Sequence, residues 1–483
     1  MADEIDEIDI SKEISIDILK MVEKIIEKYR GSETIEKMLV AQKYFLVENE
    51  EILLKEDSES LNMSNEKLTS ALYRMAVEQK VNYAFNNEMI FNFDDLTEVE
   101  ENPLFETYKK EFEKFMSFEN RNTIIDIATE AINKGIGYAY VNVDENGKLI
   151  LQNFESETIY PLWDNRQHNS LIGLARDYNS QIYQGGEFEV VNKIDYFDKN
   201  SYYNLIHDGS LEFENDTDNS HLSINGRGSS WERVPFVWLK ANQNELPLLN
   251  LIKSYLDAYD LLNSRSVDTL IDDIDPILIL ENMSSDKKTL EETRELLKDY
   301  KIASLPETGK ASYLTVKADI SAIQEKTESL YKAIMQYSST VDTNDVKGGT
   351  NNSGVALKAM YQNLDIWTNG FERQIKIMFS NIKYFFDMYL SFKNIGNFEA
   401  FQDFKINVKL DRDMLINEAE LIKNTSDMQT LVSQQTLDEY NPLVFNHENE
   451  QKRREEDIIT EEELNSRFNY NFENEENDVN GNE

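Results

Sequence analysis

The residue types that most often carry catalysis are scarce in this chain of 483 residues. Cysteine is absent, which excludes disulfides, thiolate metal sites and cysteine nucleophiles. The four histidines are His168, His207, His221 and His447, and no two of them stand at the spacing of a metal-binding motif. The histidines therefore predict neither a metal centre nor a general base.

Glycines and paired carboxylates are the other residues that could bind phosphate or metal. Gly135 and Gly137 precede a predicted strand instead of following one, so they form no dinucleotide fingerprint. The Gly348-Gly349 pair lies in no G-x-x-x-x-G-K-[ST] pattern. An acidic pair such as Asp411 and Asp413 is expected by chance at this density, which leaves a two-metal nuclease as a weak alternative. We therefore predict no enzymatic activity, no cofactor and no metal.

Carboxylates dominate the charge of the chain, with 91 acidic residues against 49 basic ones and a formal net charge of −42. Proteins that grip a phosphate backbone concentrate Lys and Arg on one face, so this balance argues against a nucleic-acid clamp. One interpretation is simple solubility or an acidic host proteome. The other is a chain that surrounds DNA without holding it, because a wall that repels phosphate lets DNA slide.

The sequence contains no recognisable targeting or membrane signal. Its first residues, MADEIDEIDISKE, are acidic and lack the apolar core of a signal peptide. Its apolar runs, such as Pro276 to Leu280, fall far short of the roughly 20 residues that a membrane helix needs. Hydrophobic residues make up 40% of the chain, enough for a packed interior, and the length predicts two or more structural regions.

Helical spacing of apolar residues dominates the first 133 residues. The segment 65–85 places Leu68, Leu72 and Met75 on one face, with Ser64 as the N-cap. The same spacing predicts helices at 14–29, 32–47, 104–116 and 123–133.

The period then changes to two, which is typical of strands. Tyr138 to Val143 and Lys148 to Phe154 flank Asp144-Glu145-Asn146-Gly147, and this arrangement predicts a β-hairpin. Further strands are predicted at 172–176, 190–196 and 202–207, and a Gly- and Ser-rich loop is predicted at 225–230.

Two helices that bracket a small module are predicted next. Apolar stripes predict a helix from Pro247 to about Asp275 and another from Asp319 to Thr340. Pro276 ends the first helix, since proline disfavours helix in the preceding residue. The module between them combines strand patterns at 277–280, 302–305 and 312–316 with a helical pattern at 287–300. The remaining elements are a long helix from about 354 to 396, a strand at 404–410, a helix at 416–433 and a disordered tail at 469–483.

A polar segment of twelve residues separates the second of these helices from the long helix. It consists of Asp342, Thr343, Asn344, Asp345, Val346, Lys347, Gly348, Gly349, Thr350, Asn351, Asn352 and Ser353. Its composition excludes a buried strand or helix, so it predicts an exposed loop. On composition alone this loop is as consistent with a surface connector as with a functional element.

The residues around this loop carry a family resemblance. Asn351-Asn-Ser-Gly-Val-Ala-Leu-Lys358 resembles the N-x-S-G-x-A-L-K signature of portal proteins from long-tailed phages of Gram-positive bacteria. Five weaker matches occur in family order at 82–85 (N-Y-A-F), 137–140 with 159–161 (G-Y-A-Y and I-Y-P), 233–236 (R-V-P-F), 256–264 (L-D-A-Y-D and N-S) and 417–421 (N-E-A-E-L). Each match is weak alone, but their order and spacing extend the resemblance from about residue 60 to residue 460.

The resemblance implies an α+β, mainly helical portal fold that assembles as a ring, generally a dodecamer. It implies this division of the chain: wing at 1–246, first stem helix at 247–275, clip at 276–318, second stem helix at 319–341, DNA-facing tunnel loop at 342–353, long wing helix and strand at 354–410, helical crown at 411–460, and an acidic, disordered tail at 461–483. Two departures concern the family pattern: 241–244 lacks two consecutive Asn, and 430–436 lacks a glycine that a turn in the terminal region often carries. They affect the details of the crown.

The resemblance also implies a function and a set of partners. The ring would form the head-tail connector at one capsid vertex of the virion, after assembly in the bacterial host cytoplasm. It would pass double-stranded DNA, without sequence specificity, during packaging and ejection. Its other partners would be the terminase large subunit, a head-completion or adaptor protein, and the major capsid and scaffolding proteins, with no membrane. The alternative is another structural virion or scaffold protein without a DNA channel.

Overall fold

The computed structural model describes most of the chain in ten segments and a few isolated positions. The segments are 18–55, 64–97, 102–184, 187–214, 220–224, 227–272, 277–281, 308–314, 320–342 and 354–412. They fall into two units, of which the first contains Met1–Val341 with Asn363–Arg412 and the second contains Asp342–Gln362 with Asp413–Glu483. All features discussed below, apart from the first turns of the last helix, belong to the first unit.

Helices contain more of the described residues than strands do. They are α1 (Ile18–Tyr29), α2 (Glu33–Phe45), α3 (Glu50–Leu53), α4 (Leu72–Ala84), α5 (Pro103–Phe115), α6 (Phe118–Lys134), α7 (Leu249–Asp272), α8 (Ile320–Ser338) and α9 (Gly354–Phe392). Side chains of Ser32, Asn102 and Ser117 accept backbone N–H bonds at the starts of α2, α5 and α6, as N-cap residues do. These caps explain why three of the helices begin where they do.

The strands form small antiparallel sheets. They are β1 (Ile90–Asp95), β2 (Ile136–Val143), β3 (Leu149–Phe154), β4 (Ile159–Trp163), β5 (Leu171–Gln184), β6 (Glu187–Asp198), β7 (Tyr202–Asp208), β8 (Ser210–Phe213), β9 (Leu222–Ile224), β10 (Arg227–Ser229), β11 (Phe236–Lys240), β12 (Ile277–Glu281), β13 (Lys310–Leu314) and β14 (Phe404–Lys409). The sheet orders are β4-β5-β6-β7-β8, β11-β2-β3, β1-β14, β9-β10 and β12-β13. The predicted mixture of helices and strands is confirmed, and so is the predicted hairpin, as β2 and β3.

Two apolar clusters hold these elements together. The first joins α4, α5 and α6 to α9, β1 and β14, and it contains Trp231, whose side chain is fully buried. The second joins α1 to the five-stranded sheet. Gly135 ends α6 in the left-handed region with φ of 97°, and a Cβ at this position would lie 2.0 Å from the carbonyl oxygen of Glu245. Only glycine allows the close approach of these two backbones.

One predicted helix is wrong in its first third. The apolar spacing predicts a helix over 65–85 with Ser64 as its N-cap, but residues 64–70 contain no helix and α4 begins at Leu72. Leu68 and Met75 are 41% and 54% exposed, so the predicted stripe is not the buried face. The backbone of 64–70 instead bonds to α7, where Ser264 Oγ accepts the Leu68 N–H at 3.0 Å. These long-range bonds replace the local ones that a helix would make.

Other differences concern the ends of elements. The predicted helix at 123–133 begins earlier, at Phe118, because Ser117 caps it. The loop predicted at 225–230 contains a short strand at Arg227–Ser229, paired with Leu222–Ile224. The predicted elements at 302–305 and 416–433 and the tail at 469–483 lie outside the described residues, as does the helix at 287–300 apart from isolated positions.

Candidate functional site at the base of the polar loop

The predicted loop at 342–353 is described at its first residue alone. Asp342 is half-buried, and residues 343–353 lie outside the described residues. Both flanks of the loop are described, because α8 ends at Ser338 and α9 begins at Gly354. The candidate site is therefore characterised through the residues that hold these flanks.

The end of α8 is closed by short-range hydrogen bonds. The Ser338 hydroxyl donates to the Ile334 carbonyl at 2.7 Å, and the Thr340 N–H donates to the Met335 carbonyl at 3.0 Å. Ser339 lies between them in the left-handed region with φ of 55°, a conformation that is uncommon for a residue with a side chain. The chain thus leaves the helix through a defined turn and reaches Val341, which is buried.

Gln79 of α4 holds the residue that enters the loop. Its side-chain Nε2 donates to the Val341 carbonyl at 2.9 Å, and the Val341 N–H donates to Gln79 Oε1 at 2.7 Å. Both backbone polar groups of Val341 are therefore satisfied by one amide, as they would be by a neighbouring strand. The start of the loop is fixed to α4.

The same helix also contacts the flank beyond the loop. The Tyr83 hydroxyl, one turn after Gln79, donates to Asp365 Oδ1 of α9 at 2.6 Å. Arg412 lies on the same surface of α9, with 2.7 Å between its Nη2 and Glu372 Oε2. Tyr83 belongs to the N-Y-A-F match singled out in the sequence, and its bond to Asp365 gives that match a structural reason.

Lys80 completes this contact from an unusual position. Its side chain is fully buried, its Nζ lies 3.8 Å from the centre of the Trp367 ring of α9, and the described residues offer this nitrogen no hydrogen-bond partner. Burial lowers the pKa of Lys80 to about 7. Sequence reasoning missed Lys80, although a lysine on the apolar face of α4 is a signal that it could have used.

The pair of helices that precedes the loop has two different sides. Tyr255 of α7 and Tyr337 of α8 have ring centres 5.1 Å apart, and the two helices border a groove of 370 Å³. On another side of α7, Asp260 is buried and accepts bonds from Asn49 Nδ2 at 2.9 Å and the Ser70 N–H at 3.1 Å. Burial raises the pKa of Asp260. The L-D-A-Y-D match in α7 therefore includes a carboxylate that fixes two N-terminal segments.

Histidines and carboxylates form no candidate catalytic centre in the described part of the chain. His168 Nδ1 lies 2.7 Å from Glu245 Oε1, and its ring stacks on Trp163. His221 Nδ1 accepts the Trp231 N–H at 3.3 Å. These contacts are structural. Within the ranges that the structure describes, no cluster of His, Asp and Glu is arranged to hold a metal ion, and no helix has the length and apolarity to cross a membrane.

Comparison with known proteins gives these features a family. The model of the phage portal protein family of SPP1 Gp6-like type matches residues 25–464. The chain belongs to this family. The resemblance predicted from the N-x-S-G-x-A-L-K segment and the weaker matches is thereby confirmed, and the chain is a phage portal protein.

Two curated portal proteins are similar over nearly the whole length. The portal protein of Bacillus phage SPP1 is 23% identical over 466 residues, which cover 93% of this chain and 88% of that protein. The portal protein of Clostridium phage phiCD119 is 24% identical over 417 residues, with 80% and 84% covered.

Solved structures of phage-like necks show a more distant likeness. A chain in the neck of a native GTA particle, computed with C12 symmetry, has a TM-score of 0.42 at 11% identity, with 77% of this portal chain and 89% of that chain covered. A chain in the neck of an empty GTA particle, computed with C6 symmetry, has a TM-score of 0.44 at 10% identity, with 84% and 92% covered.

Proposed function

We propose that this portal protein assembles as a closed homo-oligomeric ring, a dodecamer, at one vertex of the capsid, and that double-stranded DNA enters and leaves the head through its axial channel. The observation that carries this proposal is the family match over residues 25–464. The described residues add two well-packed apolar cores, as a structural subunit of a ring requires.

The proposed division of the chain follows its elements. The wing would occupy 1–246, followed by the first stem helix at 247–275, the clip at 276–318 and the second stem helix at 319–341. After the tunnel loop, the long wing helix and strand would occupy 354–410, the crown 411–460 and the tail 461–483. In support, α7 and α8 pack against each other, and β12 pairs with β13 in the sequence between them. Two long helices with a small paired module between them match what a stem and its clip require.

The charge of the chain suits a channel that lets DNA slide. Twelve copies at −42 each would carry a formal charge on the order of −500 before counterions. DNA carries one negative charge per ~1.7 Å of its axis, so adhesion to such a ring would be weak. The sequence of the proposed tunnel loop, 342–353, contains one basic residue, Lys347. Twelve copies of Lys347 around the ring would make transient contacts with DNA phosphates against an acidic background.

The proposed partners follow from the order of events at a capsid vertex. The clip would dock the terminase large subunit during packaging and then a head-completion or adaptor protein. Scaffolding and major capsid proteins would surround the wing during assembly in the host cytoplasm. The support for each of these partners is membership of the portal family.

Microscopy of the purified chain tests the ring directly. We expect negative-stain images of rings with an axial hole, and light scattering that gives the mass of a closed oligomer, because stem helices with a laterally open groove need neighbours to cover them. A monomeric mass across a range of concentrations and salts would contradict the proposal. Assemblies without an axial hole would favour another structural virion protein.

A further inference from the structure

A cleft beside β14 is the surface feature that the proposed channel does not explain. β14 pairs with β1 along one edge, and no strand of the described ranges pairs with its other edge. Five consecutive residues, 404–408, line a cleft of 480 Å³ together with a stripe of α9. Because consecutive strand residues contribute, the cleft follows the length of the strand and does not merely cover one face of it. It runs between a strand edge and a helix.

Cations line this cleft although the chain as a whole is strongly acidic. Arg233, Lys376, Lys383 and Lys405 contribute to the lining, whereas Asp387 is its one carboxylate. Asp387 is buried and already bonded, since Lys383 Nζ lies 2.5 Å from its Oδ2. The rim of the cleft is therefore cationic.

Arg233 and Lys405 remain available to a partner. The Arg233 guanidinium carbon lies 3.6 Å from the centre of the Tyr384 ring, and Lys405 projects from β14 into solvent. Neither cation forms an ion pair within the part of the chain that the structure describes. By contrast, Lys376 is paired with Glu372 at 3.0 Å.

The floor of the cleft is apolar. Phe379 of α9 and Phe404 and Val408 of β14 are all buried and line it. A groove between a strand edge and a helix is the arrangement in which PDZ and PTB domains bind an extended peptide as an added strand. Main-chain groups of the open edge supply affinity, and the flanking side chains supply specificity. Here the flanking chemistry selects a segment with apolar and acidic residues.

We propose that this cleft binds residues 3–10 of a second copy of the chain as an additional strand on β14. The segment reads DEIDEIDI, with five carboxylates and no cation. Side chains two apart lie on the same side of a strand, so Ile8 and Ile10 would face the floor while Glu7 and Asp9 face the other way, towards Lys405. The inference rests on the proposed function in one respect, because the ring supplies the second copy.

Cross-linking between full-length copies tests the pairing. The chain has no cysteine, so Ile5→Cys in one tagged copy and Asn407→Cys in a differently tagged copy introduce one thiol each, both on the side of the added strand and of β14 that faces away from the floor. After mixing and treatment with a short bismaleimide, we expect a covalent heterodimer that contains both tags. Arg233→Ala with Lys405→Ala in the Asn407→Cys copy should lower its yield at least tenfold. The matched control is Lys409→Ala, on the same strand but outside the cleft, which should leave the yield unchanged.

Competition experiments distinguish the N-terminal segment from other ligands of the cleft. A peptide of residues 1–13 should compete with the cross-link, and the same peptide with N-methylated backbone amides should not, because strand addition needs those amides. The absence of a heterodimer would overturn the proposal. Competition by a short DNA duplex and not by the peptide would equally overturn it, in favour of a phosphate site. Microscopy of the same samples distinguishes a failure of this inference from a failure of the proposed function. Rings that form without the cross-link would contradict strand addition at the cleft alone, whereas the absence of rings would contradict the proposed function.

Discussion

Among the described residues, Lys80 is the one whose burial conflicts most with its charge. It is fully buried over Trp367, and its pKa is lowered to about 7 from a usual value of 10.5. Between these pH values the unfolded chain binds a proton that the folded chain does not bind, so the free energy of unfolding rises with pH. Below pH 7 the folded chain bears the cost of a buried cation, which the aromatic face offsets in part.

Lys80→Met should therefore stabilise the protein at low pH. We expect the variant to be more stable than the parent by about 2 kcal/mol at pH 6, since the replacement removes an unpaired buried charge and keeps its volume. The difference should shrink as the pH rises from 7 towards 10, because the parent then loses its proton. Urea unfolding at pH 6 and pH 9.5 measures both effects. Lys110→Met, at an exposed position of α5, is the control and should change neither value.

Gln79 stabilises the fold in a different way, because its side-chain amide forms hydrogen bonds with the backbone of Val341. Gln79→Leu removes both bonds to Val341 and leaves a buried N–H and carbonyl unsatisfied, each of which costs about 1–3 kcal/mol. We expect much faster hydrogen exchange at the Val341 amide. The same substitution at exposed Gln336 should leave that exchange unchanged. Unaltered protection of Val341 in the Gln79→Leu variant would show that α4 does not hold the start of the loop.

At the scale of elements, the loop at 342–353 is the segment on which the channel proposal depends most. Its two glycines allow many backbone conformations at low cost, and Val341, the residue before it, is fixed by α4. Gly348→Pro with Gly349→Pro should leave rings intact but reduce packaging or retention of DNA in an assembly reaction. Lys347→Glu should have a smaller effect, seen mainly at low salt, because one screened contact per subunit is weak. If heads made with the double-proline ring fill to the wild-type level, the loop is an idle connector.

The module between α7 and α8 carries a second element-level prediction. Its strands β12 and β13 pair with each other, so the segment 276–318 is closed by its own ladder. Removal of 276–318 with a short linker should leave the wing folded but abolish binding of the terminase large subunit. Pull-down of terminase by the shortened ring measures this. Binding at the wild-type level by a soluble, ring-forming variant would place the docking surface elsewhere.

An element could be predicted from the sequence where the interactions that form it are between residues close together in the chain. Apolar periodicity predicted α8 and the long helix α9, and it predicted the β2–β3 hairpin, because each pattern is local. It failed at 64–70, where Leu68 fits a helical stripe but its N–H bonds to Ser264 some two hundred residues away. Bonds of this kind, like those between Gln79 and Val341, leave no periodic trace in the chain. The hydrogen bonds that hold Val341 at the start of the loop therefore could not be predicted from the sequence.

For the whole molecule, motif order was more informative than any single site. The N-x-S-G-x-A-L-K segment and its weaker companions predicted the family, which the match over 25–464 confirmed. The charge of −42 was ambiguous by itself, because solubility and a sliding surface predict the same number. The cations collected at the β14 cleft show that charge is not spread uniformly over the described surface.

Helix α4 holds the chain both before and after the loop at 342–353, and this has a consequence for how portal proteins of this family can diverge. Gln79 and Tyr83 hold the chain at Val341 and at Asp365, and the closure entropy of a chain segment between two fixed points grows only with the logarithm of its length. Doubling the loop would cost about 0.6 kcal/mol, far less than the loss of either tether. We therefore expect insertions between residues 342 and 353 to cost little folding free energy, and replacement of Gln79 or Tyr83 to cost more. In the proposed channel, the length of this loop would therefore vary between related proteins without changes in the helix that holds its start.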